Sequence, residues 1–178
     1  MTRPFRRRSE WLVMLAIATA TMSCDGQAKE KHMDEPPALV DALIQQVRGS
    51  KSIDVHQIER AVGATLRQTD DSNASFAFYA AEGVRSGPYT LGVELRTPVR
   101  GGGATSGALL MLNLAGGCSR RADVEARYGP LILSQPPRAD APNAEAHWSR
   151  REPWGDLSFG FSALDPDCLT SVVFTLAQ

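Results

Sequence analysis

Residues 54–63, DVHQIERAVG, and residues 120–129, RRADVEARYG, decide how this chain is read. Aligning Gly63 with Gly129 puts Ile58 on Val124, Glu59 on Glu125 and Val62 on Tyr128. In both segments apolar residues stand four apart, the spacing of one helix face. A glycine closes each, where a C-cap suits a residue without Cβ. Ser52 or Asp54 before the first and Ser119 before the second are residue types that cap helix N-termini. The pattern predicts two short helices that are copies of one unit.

The segments after the two helices are alike as well. After the first come a short strand at 65–69, SFAFYAA at 75–81, YTLGVELR at 89–96 and ALLMLNL at 108–114. After the second come a short strand at 131–134, AHWSRR at 146–151, an alternating stretch at 157–161 and LTSVVFTL at 169–176. Leu91, Val93 and Leu95, like Leu157, Phe159 and Phe161, alternate as half-buried strands do. The expected fold is α+β: two tandem helix-plus-antiparallel-sheet repeats, residues 38–117 and 118–178. Units of about 60 residues are too small to build generous cores alone. Their sheets are therefore expected to pack side by side or to join into one curved sheet, with helices on one face. A further amphipathic helix is expected at 38–47, where Leu39, Leu43, Ile44 and Val47 share a face, with Gly49 as its stop.

This order resembles the family of small tandem-repeat modules that includes the secreted β-lactamase-inhibitor protein and the BamE-type (SmpA/OmlA) outer-membrane lipoproteins. Residues 54–63 and 120–129, each with its following strands, carry the resemblance. It implies the architecture and a general expectation of protein binding. No residue-by-residue role carries across.

The N-terminus reads as an export signal. Residues 2–8 are basic, with Arg3, Arg6, Arg7 and Arg8, and WLVMLAIATA at 11–20 is apolar. That stretch suits a signal-peptide core and is too short to span a bilayer. Thr21-Met22-Ser23-Cys24 ends the segment and resembles a bacterial lipobox, which implies lipidation of Cys24. Thr21 stands where that motif usually has Leu, and cleavage after Ala20 without lipidation is the competing reading. The chain has 3 cysteines. If Cys24 carries lipid, Cys118 and Cys168 are left as an even pair for a disulfide in an oxidising compartment. Asp25, after Cys24, resembles an inner-membrane retention signal of enteric lipoproteins. Residues 24–37 (CDGQAKEKHMDEPP) are polar, end in two prolines and read as a flexible tether after the 1–23 signal. His32, within the tether, reads as a solvated side chain.

Outside residues 1–23 the chain holds 15 basic and 19 acidic residues. Such a mildly acidic body lacks the electrostatic footprint of a nucleic-acid binder. No GxSxG, HExxH or CxxC occurs, and His56 and His147 have no motif that sets them beside a cysteine. Gly101-Gly102-Gly103 lacks the lysine and helix of a phosphate loop and reads as a turn. Asp70-Asp71-Ser72-Asn73 and Asp165-Pro166-Asp167 read as turns rather than metal sites. The chain is thus expected to be no enzyme and to hold no cofactor or metal. The candidate partner-binding residues are Trp148, Arg150, Arg151 and Trp154, because Trp and Arg are enriched in binding hot spots. In a strand, Trp148 and Arg150 share one face and Arg151 lies on the other.

These readings define an envelope lipoprotein that faces the periplasm and binds another protein. An inhibitor or immunity protein against a periplasmic toxin or hydrolase is the leading expectation. An accessory subunit of an envelope assembly or secretion machine is the alternative. A small-ligand carrier or enzyme is the contrasting class. Replacing Cys24 with serine is expected to move the chain from the membrane fraction to the soluble one on fractionation. Unchanged membrane association of Cys24→Ser refutes the lipid tether.

Overall fold

The computed structural model describes residues 35–48, 53–103, 107–138, 144–164 and 168–177. The signal segment, Cys24 and His32 lie outside the described residues, as do Gly49, Ser52 and Asp165-Pro166-Asp167. Among the described residues three helices, α1 (Ala38–Arg48), α2 (Val55–Val62) and α3 (Arg121–Tyr128), accompany eight strands. These are β1 (Arg67–Gln68), β2 (Phe76–Ser86), β3 (Tyr89–Pro98), β4 (Leu109–Ala115), β5 (Ile132–Gln135), β6 (Glu145–Glu152), β7 (Gly155–Ser162) and β8 (Leu169–Leu176). The protein is α+β, and its strands form one antiparallel sheet in the order β1-β2-β3-β4-β8-β7-β6-β5.

Local chemistry sets the ends of the helices. The Asp54 carboxylate accepts from the Gln57 amide at 2.9 Å, and the Gln57 side chain accepts from the Asp54 amide in return. This reciprocal box satisfies two of the orphan donors at the start of α2. Gly63 ends α2 in the left-handed region, at φ 68°. The Glu59 carboxylate then accepts from the Leu66 amide at 2.9 Å, tying α2 to the chain that enters β1. At α3 the expected cap is corrected: Ser119 is fully buried, and its hydroxyl meets that of Tyr89 at 2.5 Å. Arg120 holds the cap position instead, and its amide donates to Asp123.

All three helices turn their apolar residues to the same side of the sheet. Val40, Leu43, Ile44 and Val47 of α1, Ile58 and Val62 of α2, and Val124 and Tyr128 of α3 are buried in a single core. The sheet contributes alternate residues to it: Leu91, Val93 and Leu95 of β3, Leu110 and Leu112 of β4, and Leu157, Phe159 and Phe161 of β7. The period-2 side-chain alternation of a strand makes this division. Tyr128 stacks on Phe159 with ring centroids 5.1 Å apart, fixing α3 over β7. The prolines that close the expected tether, Pro36 and Pro37, are themselves buried, so the packed body begins before residue 38.

The sheet is joined at its centre by β4 and β8, in a register that sets Leu110 opposite Phe174 and Leu112 opposite Val172. A Cys118–Cys168 disulfide lies at one end of this seam, with Cα atoms 4.8 Å apart. Beside it the Leu169 amide donates to the Ser119 carbonyl at 2.9 Å. The bridge closes a sequence separation of 50 residues, which corresponds to about 3–4 kcal/mol through the entropy of the unfolded chain. A Cys118→Ser/Cys168→Ser double variant is expected to lose about that much in urea unfolding. A midpoint unchanged from the parent overturns this assignment of stability.

Candidate functional site

With the helices on one side, the other face of the sheet is uncovered among the described residues. Its register brings together Phe76 and Phe78 of β2, Arg96 of β3, Leu109 and Met111 of β4, and Val173 of β8. All six are half-buried, and none of the apolar ones belongs to the helix-side core. Phe76 meets Phe78 edge to face at 6.4 Å, and the Arg96 guanidinium lies 4.7 Å above the Phe76 ring. Aromatic and arginine side chains held this way lose little rotamer freedom on contact with a partner. Beside them opens a hollow of about 360 Å³, floored by Phe78, Ala80 and Leu109 and rimmed by Asp71, Glu82 and Glu94.

Toward β5 the same face becomes polar. The Ser149 hydroxyl lies 2.5 Å from that of Ser134 and 2.7 Å from that of Ser158, a hydroxyl row across three strands. The Ser171 hydroxyl donates to Glu145 at 2.6 Å, and His147 Nε2 lies 3.5 Å from the same carboxylate oxygen. Here the carboxylate stands between serine and histidine. The order is not that of a nucleophilic triad, where histidine must touch the hydroxyl it deprotonates.

The residues singled out in the sequence are divided by the sheet. Trp148 and Arg150 lie on the helix side: the Arg121 guanidinium sits 4.3 Å above the Trp148 ring, and Arg150 Nε is 2.8 Å from buried Glu152. Trp154 stacks on Phe174 at 5.7 Å, against the core. Arg151 alone of the four is on the uncovered face, exposed and donating to Asp156 at 2.6 Å. His56, exposed on α2, bonds Glu59 at 2.9 Å and is remote in sequence from His147. The described part of the glycine run is a turn, in which the Gly102 amide donates to Val99. The Asn73 carboxamide likewise caps the Ser75 and Phe76 amides and accounts for the turn at 70–73. Phe76, Phe78, Leu109 and Met111 were legible as strand residues, but their runs are apolar on both faces and conceal which side each takes. Glu94 and Arg96, the polar positions in the alternating β3, carried the signal that this side is not core.

A second depression, of about 240 Å³, lies where α1, α3 and β6 meet. It is a charged seam. Arg127 donates to Asp41 through both Nε and a terminal nitrogen, and also reaches Glu35 at 3.6 Å. Arg48 lies 3.6 Å from Glu152, the carboxylate that Arg150 also meets. The Arg127 guanidinium holds the Asp41 carboxyl below its usual range, against a smaller opposing effect of burial. Burial, with the Asp41 charge added, pushes the Tyr128 hydroxyl upward and keeps it protonated. These pairs clamp α1 to the rest of the body, and each charge already faces an opposite one.

No protein-family model, curated protein or solved structure matches this chain.

Because the pKa of Asp41 is lower folded than unfolded, its contribution is present above the ordinary carboxylate range and lost as pH falls through the folded value. The pair is partly exposed, which limits the contribution to about 1 kcal/mol or less. Unfolding free energy is expected to decline below about pH 4, with a shallower decline in Asp41→Asn. Identical acid profiles for the two proteins overturn the clamp.

Proposed function

We propose that this chain is an envelope lipoprotein that works by binding another protein through the uncovered face of its sheet. We infer further that it acts as an inhibitor or immunity protein against a toxin or hydrolase that reaches the periplasm. The observation that carries this reading is the set Phe76, Phe78, Arg96, Leu109, Met111 and Val173, gathered on a sheet face that no described helix covers. An apolar patch with an arginine at its centre, bordered by polar side chains, is the anatomy of a protein interface.

Two further observations support the reading. The disulfide uses Cys118 and Cys168, which leaves Cys24 as the odd third cysteine beside the lipobox-like Thr21-Met22-Ser23. A lipid there holds the module where a partner enters, raising effective concentration without new contacts. The tandem-repeat reading is supported by the order of elements. Helix α2 precedes β1–β4 and α3 precedes β5–β8, and the last strands of the two series, β4 and β8, pair at the centre of the sheet. Such pairing closes two small sheets into one wide face, broad enough for a partner protein.

The test is a photo-crosslinker placed at Met111 in the intact envelope. The expected adduct is a toxin or cell-wall hydrolase whose activity the purified full chain lowers in detergent solution. Phe78→Glu is expected to weaken that inhibition at least about tenfold, the effect of losing one hot-spot anchor, with no change in thermal unfolding. Crosslinks only to envelope assembly or secretion components, with no effect on any hydrolase or toxin, overturn the inhibitor reading. Full inhibition by Phe78→Glu overturns the face.

A further inference from the structure

The uncovered face carries a lane of small and polar residues running across the strands. The register aligns Gly92 of β3 with Asn113 of β4, Asn113 with Ser171 of β8, Ser171 with Gly160 of β7, and Gly160 with His147 of β6. Two glutamates lie down into this lane, one over each glycine. A Cβ on Gly92 would stand 2.9 Å from Glu82 Oε2, and a Cβ on Gly160 would collide with Glu145 and Ser171. Both glycines are without the positive φ that would require glycine for backbone reasons. What their missing side chains provide is room for a carboxylate.

The placement of Glu82 is built by the backbone. The register of β2 on β3 shifts between Ala81 and Val84, with Gly83 at φ 73°. A bulge of this kind re-aims one side chain while the strand continues. Here it turns Glu82 over the sheet. Among the described residues Glu82 has no cationic partner, and neither does Asp71 across the hollow. Glu94 accepts from the neutral carboxamide of Asn113 at 2.8 Å. Arg96 is the one cation that lines this hollow, and three carboxylates line it with Arg96. Glu145 is held by Ser171 and lies near His147. From Gly92 to Gly160 is three inter-strand steps, or ~14 Å at the ordinary strand spacing. The hollow beside Glu82 has an apolar floor, Phe78, Ala80 and Leu109, suited to the aliphatic stem of a long cationic side chain.

We propose that this lane receives a basic segment of the partner protein, with two Arg or Lys side chains ~14 Å apart seated on Glu82 and Glu145. The first stem lies over Phe78 and Leu109, and its charge lies among Glu82, Glu94 and Asp71. The inference rests on the uncovered face being the docking surface, and it adds the chemistry of the partner. An extended peptide spans that distance between positions i and i+4, which also point to the same side.

The test uses the full chain in dodecyl maltoside and the peptide Ac-Arg-Ala-Ser-Ala-Arg-NH2, followed by amide chemical shifts of the isotope-labelled protein. The expected result is saturable shifts centred on Gly92, Asn113 and Gly160. The neutral Gln-Ala-Ser-Ala-Gln peptide and an isomer with adjacent arginines are expected to bind at least about fivefold more weakly, the scale of one lost partly buried ion pair. Glu82→Gln and Glu145→Gln are each expected to weaken binding by about the same factor. Gly92→Ala keeps every charge but displaces the Glu82 carboxylate, and is expected to weaken binding with the far-ultraviolet spectrum unchanged. Shifts spread over surface carboxylates, or equal affinity for Glu82→Gln and the parent, overturn the proposal. If the peptide fails while Phe78→Glu still abolishes hydrolase inhibition, the basic segment falls and the docking face stands. If the peptide binds the lane while Phe78→Glu inhibits fully, the docking face falls.

Discussion

The pairing of β4 with β8 is the interaction on which the rest depends. Neither four-strand series could bury enough surface by itself. Setting Leu110 against Phe174 and Leu112 against Val172 makes one sheet of eight and lets a single core run beneath it. A one-residue slip at this seam would carry Phe174 and Val172 to the uncovered face and Val173 into the core. The Cys118–Cys168 bridge and the bond from Leu169 to Ser119 sit at the end of the seam, where they oppose such a slip. Tyr89 extends the same anchorage to β3, through its buried hydroxyl contact with Ser119.

One consequence is a division of labour between two faces. Stability comes from the helix side, where Tyr89, Phe159, Phe161 and Phe174 are almost wholly buried and truncation of any one would cost about 3–5 kcal/mol. Arg150, one of the arginines that first suggest recognition, is used there against Glu152, and Trp148 lies under Arg121. Glu152 is 8% exposed, and a carboxylate so buried is tolerated only because cations meet it. The proposed recognition falls to the other side, whose apolar residues lie outside the core.

Much of this was legible in the chain before folding. The helical spacing of Ile58 with Val62 and of Val124 with Tyr128, the closing glycines, and the alternation of β3 and β7 marked the elements and their order. The cysteine count pointed to the disulfide. What failed to transmit was sidedness. SFAFYAA and ALLMLNL are apolar at nearly every position, so no period marks which residues face the helices. Trp148 and Trp154 look like exposed anchors as residue types, yet their faces are set by partners distant in sequence, Arg121 and Phe174. The lane was hidden for a related reason. Gly92 and Gly160 lie inside the alternating stretches 89–96 and 157–161, and only the register and packing show a glutamate above each.

A sheet with one bare face must also avoid pairing with its own copies, and the edges of this one answer that need. The strand β1 at one edge has two residues, and β5 at the other has four. On β5, Ile132 and Leu133 are 76% and 45% exposed, which would invite another strand if the edge continued. Pro136 and Pro137 come directly after Gln135, and a residue without an amide hydrogen cannot extend the ladder. Short edges, one of them stopped by prolines, restrict strand addition while the broad face stays open. In the proposed function, contact with another protein is then directed to side chains on the face rather than to backbone at the rim. Substitutions on such a face, away from the core, ordinarily change stability by about 0.5 kcal/mol or less. The side chains of this face can therefore vary without endangering the seam that holds the fold together.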